Sequence, residues 1–114
     1  MTTIYKICQR DAWRAAETVG WFFGAPVDLR DGFIHFSTAA QLAETAAKHF
    51  AGVADLMLVA VDAAALDGAL KWELSRGGAL FPHLYTALPL TAVRWARPLP
   101  DEVNGRRPLP ELDA

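Results

Sequence analysis

The segment of residues 55–61, with the sequence DLMLVAV, is almost entirely apolar and stays apolar on both faces when it is drawn as a β-strand. A strand that is buried on both faces lies inside a sheet whose two sides are covered by other elements. The segment therefore predicts a central strand, which the rest of the chain must flank and cover.

The composition is that of one ordinary globular domain. The chain has 114 residues, of which 53% are hydrophobic and 21% are charged. A chain of this length buries roughly two thirds of its unfolded surface, so we expect it to fold without a metal, a disulfide or a cofactor. Cys8 is the only cysteine, which excludes an intrachain disulfide and a metal site made of cysteines alone.

Charge and hydropathy argue against several classes of partner. The formal net charge is −2, from 11 basic and 13 acidic residues, whereas proteins that neutralise nucleic-acid phosphates usually carry a basic excess. The N-terminus lacks a basic segment followed by a long apolar run, and no apolar run reaches the length of a membrane span. We therefore expect a cytoplasmic protein without nucleic-acid or membrane partners. The sequence leaves the oligomeric state open.

The N-terminal part predicts a strand, a helix and a second strand. Residues 3–8 are β-branched and aromatic, as in a short strand, and Lys6 within them is expected to be exposed. Residues 11–19 have apolar positions at helical spacing and are followed by a glycine. Residues 33–37 (FIHFS) form the next predicted strand.

A second helix and an unusual loop complete this part. Thr38 and Gln41 have the spacing of a capping box, so a helix is predicted over residues 39–50. Residues 21–26 (WFFGAP) are expected to be a loop, although they carry much aromatic surface. This loop either folds down on the core or forms one wall of a ligand pocket.

The C-terminal part is predicted to consist mainly of strands. Residues 70–75 and 80–85 are both extended, and Pro82 indicates that the second is an edge strand or a strand start. Residues 90–97 form a turn and a last strand. At least five strands with two main helices predict an α+β fold of antiparallel sheets, with parallel βαβ units as the alternative. Residues 1–100 form one domain, and residues 101–114 are expected to be a loosely held tail.

Three of the predicted strands each place a histidine or a glutamate on a face that also carries a hydroxyl. Side chains alternate between the two faces of a strand. His35 thus shares a face with Ser37, and His83 shares one with Tyr85, while Glu73 lies on the polar face of its strand. If these strands converge, the five side chains line one concave site.

Each of these residues also has a structural interpretation. A histidine in an apolar strand is more often hydrogen-bonded in the fold than reactive. Glu73 could face solvent, Tyr85 could fill the core with its hydroxyl satisfied, and Ser37 could cap the following helix.

Other chemistries have less support. The pair Gly77-Gly78 is not followed by the lysine and hydroxyl of a phosphate-binding loop, and no serine lies in a nucleophile elbow. His35, His83 and Glu73 are suitable types for a metal site, but none of the three belongs to a closely spaced ligand pair.

Four segments resemble the motifs of a bacterial family known as domain of unknown function 952. They are residues 4–7 (IYKI), 31–38 (DGFIHFST), 71–73 (KWE) and 81–85 (FPHLY), and the resemblance extends from about Ile4 to Leu99. The family is similar in fold to the ADP-ribosyltransferase superfamily, in which two antiparallel sheets enclose a cleft for NAD. RNA 2′-phosphotransferases, a branch of that superfamily, have a His-Leu-Ser strand before a helix, which His35-Phe36-Ser37 resembles.

The resemblance implies an ADP-ribosyltransferase-like domain that uses NAD or a related nucleotide as a substrate. Glu73 would then stabilise the positive charge that develops on the ribose carbon when nicotinamide leaves. His35 would hold ribose hydroxyls with support from Ser37 or Thr38. Tyr85, or Trp21 and its aromatic neighbours, would stack on the nicotinamide.

His83 would be a general base or an anion contact. With His35 and Glu73, it completes the set of catalytic candidates. Two alternatives remain at this point. One is a non-catalytic module that binds a small molecule or a protein segment, and the other is a metalloenzyme that uses the two histidines.

Overall fold

The computed structural model describes residues 2–113 and has eight β-strands and three α-helices in that range. The helices are α1 (Arg10–Val19), α2 (Pro26–Asp31) and α3 (Ala39–His49). The strands are β1 (Thr3–Gln9), β2 (Trp21–Phe22), β3 (Ile34–His35), β4 (Leu56–Asp62), β5 (Leu70–Leu74), β6 (Leu80–Leu84), β7 (Leu88–Pro89) and β8 (Val93–Leu99). All strand pairs within the described range are antiparallel.

The apolar strand predicted around residues 55–61 is central in its sheet. The order of this sheet is β1-β4-β8, and β4 is buried on both faces. Met57, Val59 and Val61 pack on one side in a cluster that includes Trp13 of α1. On the opposite side, Leu58 and its alternate neighbours pack in a cluster with α3.

A second sheet, in the order β3-β6-β5, adjoins the first. The two sheets are connected where Tyr5 and Ser37 exchange backbone hydrogen bonds of 2.8 and 2.9 Å. A two-stranded ribbon of β2 and β7 completes the pairing. The prediction of an α+β domain with antiparallel sheets is confirmed, and the parallel alternative is wrong.

Two helices were predicted with nearly the observed bounds. Helix α1 ends at Gly20, and α3 begins with the predicted capping box, in which Thr38 Oγ1 accepts from the Gln41 N–H and Gln41 Oε1 accepts from the Thr38 N–H. Both predictions are confirmed, because the apolar stripe and the local end signals agree.

The prediction that residues 80–85 form an edge strand, or that Pro82 lies at a strand start, is wrong, because Pro82 is the middle residue of β6. Strand β6 lies between β3 and β5, although Pro82 has no N–H to donate. The Pro82 carbonyl accepts the Phe36 N–H at 3.0 Å, just beyond the last residue of β3. The N–H group that Pro82 lacks would therefore face the chain just after the end of β3. The sheet tolerates its absence at this position.

The predicted apolar loop is in part regular structure. Trp21 and Phe22 form β2, and α2 begins at Pro26. Proline is favoured at the first position of a helix, and Gly32, with φ of 87°, ends α2 in the left-handed conformation that glycine adopts readily. The predicted strand at residues 33–37 is correspondingly short, with Ile34–His35 as β3.

Residues 101–113 make defined contacts with the domain. Arg107 donates to the carbonyls of Phe50 and Val53 at 2.9 and 3.0 Å, and Leu109 and Leu112 pack against the cluster beside α3. The Asp113 backbone exchanges hydrogen bonds with the Tyr5 hydroxyl. The structure thus gives the predicted loose tail specific partners, and how firmly they hold it stays a prediction.

Candidate functional site

A cleft of about 620 Å³ opens where the two sheets meet α2 and α3. Its lining comes from β1, α2, β3 and its extension, α3, β6 and the residue that follows β5. It includes Lys6, Asp31, His35, Ser37, Thr45, Ser75 and His83. Ligand sites in proteins are usually concave spaces of this size, with a few polar groups on mostly apolar walls. The cleft is therefore the candidate functional site.

His35 and His83 lie side by side in the lining of the cleft. They are directly opposite each other in the pairing of β3 with β6, and their ring centroids are 5.6 Å apart. Cross-strand partners share one face of a sheet. The convergence of these two strands, which the sequence left as a hypothesis, is therefore observed.

The His83 ring is held by Glu73, which is also bonded to Tyr85. Glu73 Oε1 lies 2.9 Å from His83 Nδ1 and accepts a 2.6 Å hydrogen bond from the Tyr85 hydroxyl. The hydrogen bond from Tyr85 lowers the pKa of Glu73, and the hydrogen bond from His83 lowers it further by a smaller amount. Because an ionised carboxylate only accepts hydrogen bonds, His83 must donate through Nδ1, which leaves Nε2 as its unprotonated nitrogen when the ring is neutral.

Tyr85 is kept as a neutral phenol by the same contact. Its hydrogen bond to Glu73 raises the pKa of Tyr85, since ionisation would place two negative charges side by side. Glu73 and Tyr85 are not among the residues that line the cleft. They stand behind His83 and orient it.

His35 is bound by two carboxylates from α2. Its Nδ1 lies 2.7 Å from Asp28 Oδ1, and its Nε2 lies 3.0 Å from Asp31 Oδ2. Asp28 also accepts the His35 backbone N–H at 3.1 Å. Helix α2, which the sequence analysis did not predict, thus fixes both the ring and the backbone of His35.

Asp28 is buried and is the centre of a polar network. Its side chain is only 1% exposed, and Lys6 Nζ lies 2.9 Å from both of its carboxylate oxygens. The Ala25 N–H donates to Asp28 Oδ2 at 2.7 Å. Burial would raise the pKa of Asp28, but the bond from His35 and the charge of Lys6 outweigh it and lower the pKa to about 2.

Lys6 differs most from its predicted environment. It was expected to be exposed, yet it is 5% exposed and lies against Asp28 in the lining of the cleft. The prediction is wrong because β1 is buried on both of its faces, so a charged residue in the middle of that strand needs a buried partner. Burial lowers the pKa of Lys6, and the adjacent Asp28 opposes this effect.

Phe33 covers the two histidines from one side. Its ring is stacked on His83, with centroids 4.1 Å apart, and lies 4.5 Å from His35 and 5.3 Å from Tyr85. Phe33 follows Gly32 at the end of α2, so the turn that ends the helix also places this ring. The cover explains why His83 is only 6% exposed.

The remaining candidates have mainly structural contacts. Ser37 lines the cleft and shares a 2.8 Å hydrogen bond with Thr45 Oγ1, and Thr38 caps α3. Trp21 is paired with Pro89 on the ribbon and is not part of the cleft lining. The structure therefore brings His35, Ser37 and His83 together in the cleft, places Glu73 and Tyr85 behind it, and leaves Trp21 outside.

Sequence reasoning missed Lys6, Asp28, Asp31 and Phe33. One signal was present for Asp28: it is the third residue of a segment that begins with Pro26 and is followed by Gly32. Acidic side chains at the third helical position bond the helix N-terminus. Lys6 gave a second signal as the one charged residue in an apolar strand.

Gly24 also belongs to this arrangement. A Cβ atom at this position would lie 2.8 Å from the Asp28 Cβ, closer than real carbon contacts. Its φ of 119° is a conformation that other residues rarely adopt. The glycine therefore lets the chain pass close to Asp28.

Comparisons with known proteins give a family and relatives of known structure. The family model described as "Protein of unknown function (DUF952)" matches residues 7–96. The crystal structure of protein CC0527 from Caulobacter crescentus is 50% identical, with 94% of each chain covered and a TM-score of 0.89. The solution NMR structure of CC0527 is 51% identical, with 94% of this chain and 92% of that chain covered and a TM-score of 0.83. A comparison with curated proteins gives no match.

Among residues 2–113, no helix is both long and apolar enough to cross a membrane. In the same range, no three side chains of His, Cys, Asp or Glu are grouped so that they could hold a metal ion.

Proposed function

The chain belongs to the DUF952 family, and on that premise we propose that its cleft binds NAD or a related nucleotide and transfers ADP-ribose, with His83 as the group that moves the proton. The observation that carries the proposal is the pairing of His35 and His83 in one cleft, each held through Nδ1 by a carboxylate. The ligand class is the one that the resemblance of the sequence motifs to ADP-ribosyltransferases implies.

His83 has the surroundings of a general base. A carboxylate that accepts from Nδ1 fixes the tautomer of a histidine and stabilises its charged form, so the other nitrogen can take a proton. In His83 this carboxylate is Glu73, and Phe33 covers the ring and limits its contact with water. A partly dry base next to a cleft is suited to deprotonate an acceptor.

The bond between nicotinamide and the ribose carbon breaks, and nicotinamide leaves with the electron pair. A hydroxyl or amine of the acceptor bonds to the ribose carbon and gives its proton to His83 Nε2. Glu73 then stabilises the imidazolium of His83, whereas the family resemblance had placed its charge next to the ribose itself.

His35 is the second contact in the proposal. Its Nδ1 faces the Asp28 carboxylate and its Nε2 faces the Asp31 carboxylate, and an ionised carboxylate only accepts hydrogen bonds. Such a ring can exchange its bond to the more exposed Asp31 for a ribose hydroxyl or a phosphate oxygen. The deeper bond to Asp28 would keep it oriented during that exchange.

A non-catalytic binding module is the second candidate. It is favoured by the position of Glu73, which already accepts from His83 and Tyr85 and does not line the cleft. A carboxylate held in this way would not reach a ribose carbon directly. We do not propose a metalloenzyme, since the described residues offer no grouped set of metal ligands.

The test begins with binding. NAD is titrated into isotope-labelled protein, and amide signals of β3 and β6 are expected to shift. His35→Ala should weaken binding about tenfold, the loss of roughly one good polar contact. Trp21→Ala is the matched control and should leave binding unchanged. Shifts that avoid β3 and β6, or no shift with NAD, ADP-ribose or nicotinamide, would contradict the proposal.

Release of nicotinamide separates the two candidates. An enzyme should release it in the presence of the protein, and Glu73→Gln should slow the release while NAD binding is retained. Binding at β3 and β6 without any release above the rate in water would leave the binding module and remove the transferase.

A further inference from the structure

We propose that two copies of this chain associate through β5, which pairs antiparallel with β5 of the partner around Trp72. Strand β5 is the outer strand of the sheet in the order β3-β6-β5. Strand β3, which lines the cleft, is the outer strand on the other side of this sheet. The proposal does not depend on the function of the cleft.

The backbone of β5 has open hydrogen-bonding groups. The Pro82 carbonyl accepts from Phe36, so the backbone groups of Pro82 are directed to β3 and away from β5. Trp72 is the residue opposite Pro82, and in an antiparallel ladder such a pair directs its N–H and C=O groups away from each other. Trp72 and, by alternation, Leu74 thus present their N–H and C=O groups at the outer edge.

The side chains along this edge are unusually apolar for a solvent-facing strand. Trp72 is 42% exposed, Leu74 is 73% exposed, and Leu80, opposite Leu74 on β6, is 51% exposed. A flat edge strand with exposed apolar side chains is a template for pairing with another strand. In a self-paired ladder centred on Trp72, the two indoles are opposite each other and Leu70 of each copy faces Leu74 of the other.

Charge selects this register and identifies a second copy as the occupant. With Trp72 at the centre, Lys71 of each copy is opposite Glu73 of the other, and the two ion pairs form at positions where cross-strand side chains approach most closely. Centring on Lys71 or on Glu73 would instead place like charges opposite each other. A strand whose charges are complementary to themselves in one antiparallel register fits its own copy better than an unrelated strand.

The association would bring a further positive charge to Glu73, which lies behind the cleft. Glu73 bonds His83 and Tyr85 through Oε1, and its side chain is 39% exposed. In the dimer, Lys71 of the partner subunit would lie next to this carboxylate. Each copy would then contribute a cation to the group that orients His83 in the other copy.

Analytical ultracentrifugation over a range of concentrations tests the proposal. The wild type should show a reversible monomer–dimer equilibrium, and Trp72→Glu should raise the dissociation constant about tenfold or more, because it removes the central apolar pair and adds repulsion. Trp21→Glu is the matched control, since Trp21 is similarly exposed at 46% but lies on the ribbon. Circular dichroism checks that each variant is folded.

The charge register has its own test. Lys71→Glu should weaken the dimer, because positions 71 and 73 of the two copies would then place four carboxylates next to one another. The double variant Lys71→Glu, Glu73→Lys should restore the dimer. A wild type that stays monomeric up to millimolar concentration would overturn the proposal. Equal effects of Trp72→Glu and Trp21→Glu on the dissociation constant would also overturn it. So would amide signals of β5 that shift only when an unrelated extended peptide is added.

Discussion

Asp28 is the residue on which the geometry of the cleft depends most. It connects β1, through Lys6, with β3, through His35, and it does so with its side chain almost completely buried. Asp28→Asn should lower the free energy of unfolding by about 3–5 kcal/mol, because it leaves the Lys6 charge buried without a counter-charge. Urea denaturation measures the loss.

Asp31→Asn is the matched control for that experiment. Asp31 is also bonded to His35 and carries an ion pair with Arg30, but it is exposed. Exposed pairs contribute about 0–1 kcal/mol, so the control should change stability little. Equal losses for the two variants would show that the Lys6–Asp28 pair is not the structural centre of the site.

The low pKa of Asp28 also predicts how stability depends on pH. The pKa falls from 3.8 in the unfolded chain to about 2 in the folded protein. The stabilisation is therefore complete above the unfolded value and is lost as the pH falls through the folded value. This shift of slightly less than two units corresponds to roughly 2–3 kcal/mol of stability. In Asp28→Asn, the slope of stability between about pH 4 and pH 2 should be correspondingly smaller, and an unchanged slope would assign the acid sensitivity to other groups.

Glu73 sets the tautomer of His83, which nuclear magnetic resonance can measure on the ring nitrogens. In the wild type, the neutral ring should carry its proton on Nδ1, because the ionised Glu73 accepts there. Glu73→Gln should reduce the share of this tautomer, since a neutral amide is a weaker acceptor than a carboxylate. Tyr85→Phe is the control that keeps the carboxylate. Identical ring spectra in the wild type and Glu73→Gln would contradict this role of Glu73.

At the scale of elements, α3 begins at the position that its local capping residues predict. Thr38 and Gln41 satisfy each other's backbone N–H groups. Thr38→Ala should cost about 1 kcal/mol, which is typical of a lost N-cap, whether or not a ligand is present. Thr18→Ala within α1 is the control and should stay within about 0.5 kcal/mol. If thermal denaturation shows no loss for Thr38→Ala, the cap is not a stabilising element.

Elements with a strong pattern of their own could be predicted from the sequence. Strand β4 is apolar on both faces, and α1 and α3 combine an apolar stripe with end signals. Helix α2 could not be read in the same way, because its six residues are too few to show a period. The central position of β6 was also not readable, since the cost of Pro82 depends on where the neighbouring strand ends.

The candidate site also consists of residues that could be predicted from the sequence and residues that could not. Alternation along the strands placed His35 and His83 on polar faces, and the structure shows those faces meeting at one cleft. The partners of each histidine could be foreseen only where they lie on a predicted strand, as Glu73 does. Asp28 and Asp31 reach His35 from a helix that depends on tertiary contacts, and no local pattern indicates such a contact.

At the scale of the whole molecule, Arg107 joins the C-terminal segment to the end of α3. Its guanidinium is 4% exposed and donates to the carbonyls of Phe50, Val53 and Pro100. These bonds satisfy carbonyl groups beyond the helix C-terminus, where a cation is also favoured by the helix dipole. Arg107→Ala should therefore lower stability by about 2–4 kcal/mol, since buried acceptors lose charged donors.

Arg107→Ala should also speed hydrogen exchange in residues 101–113. Arg106→Ala, at an exposed neighbour, is the control. Fast exchange of this segment in the wild type, unchanged by Arg107→Ala, would show a loosely held tail.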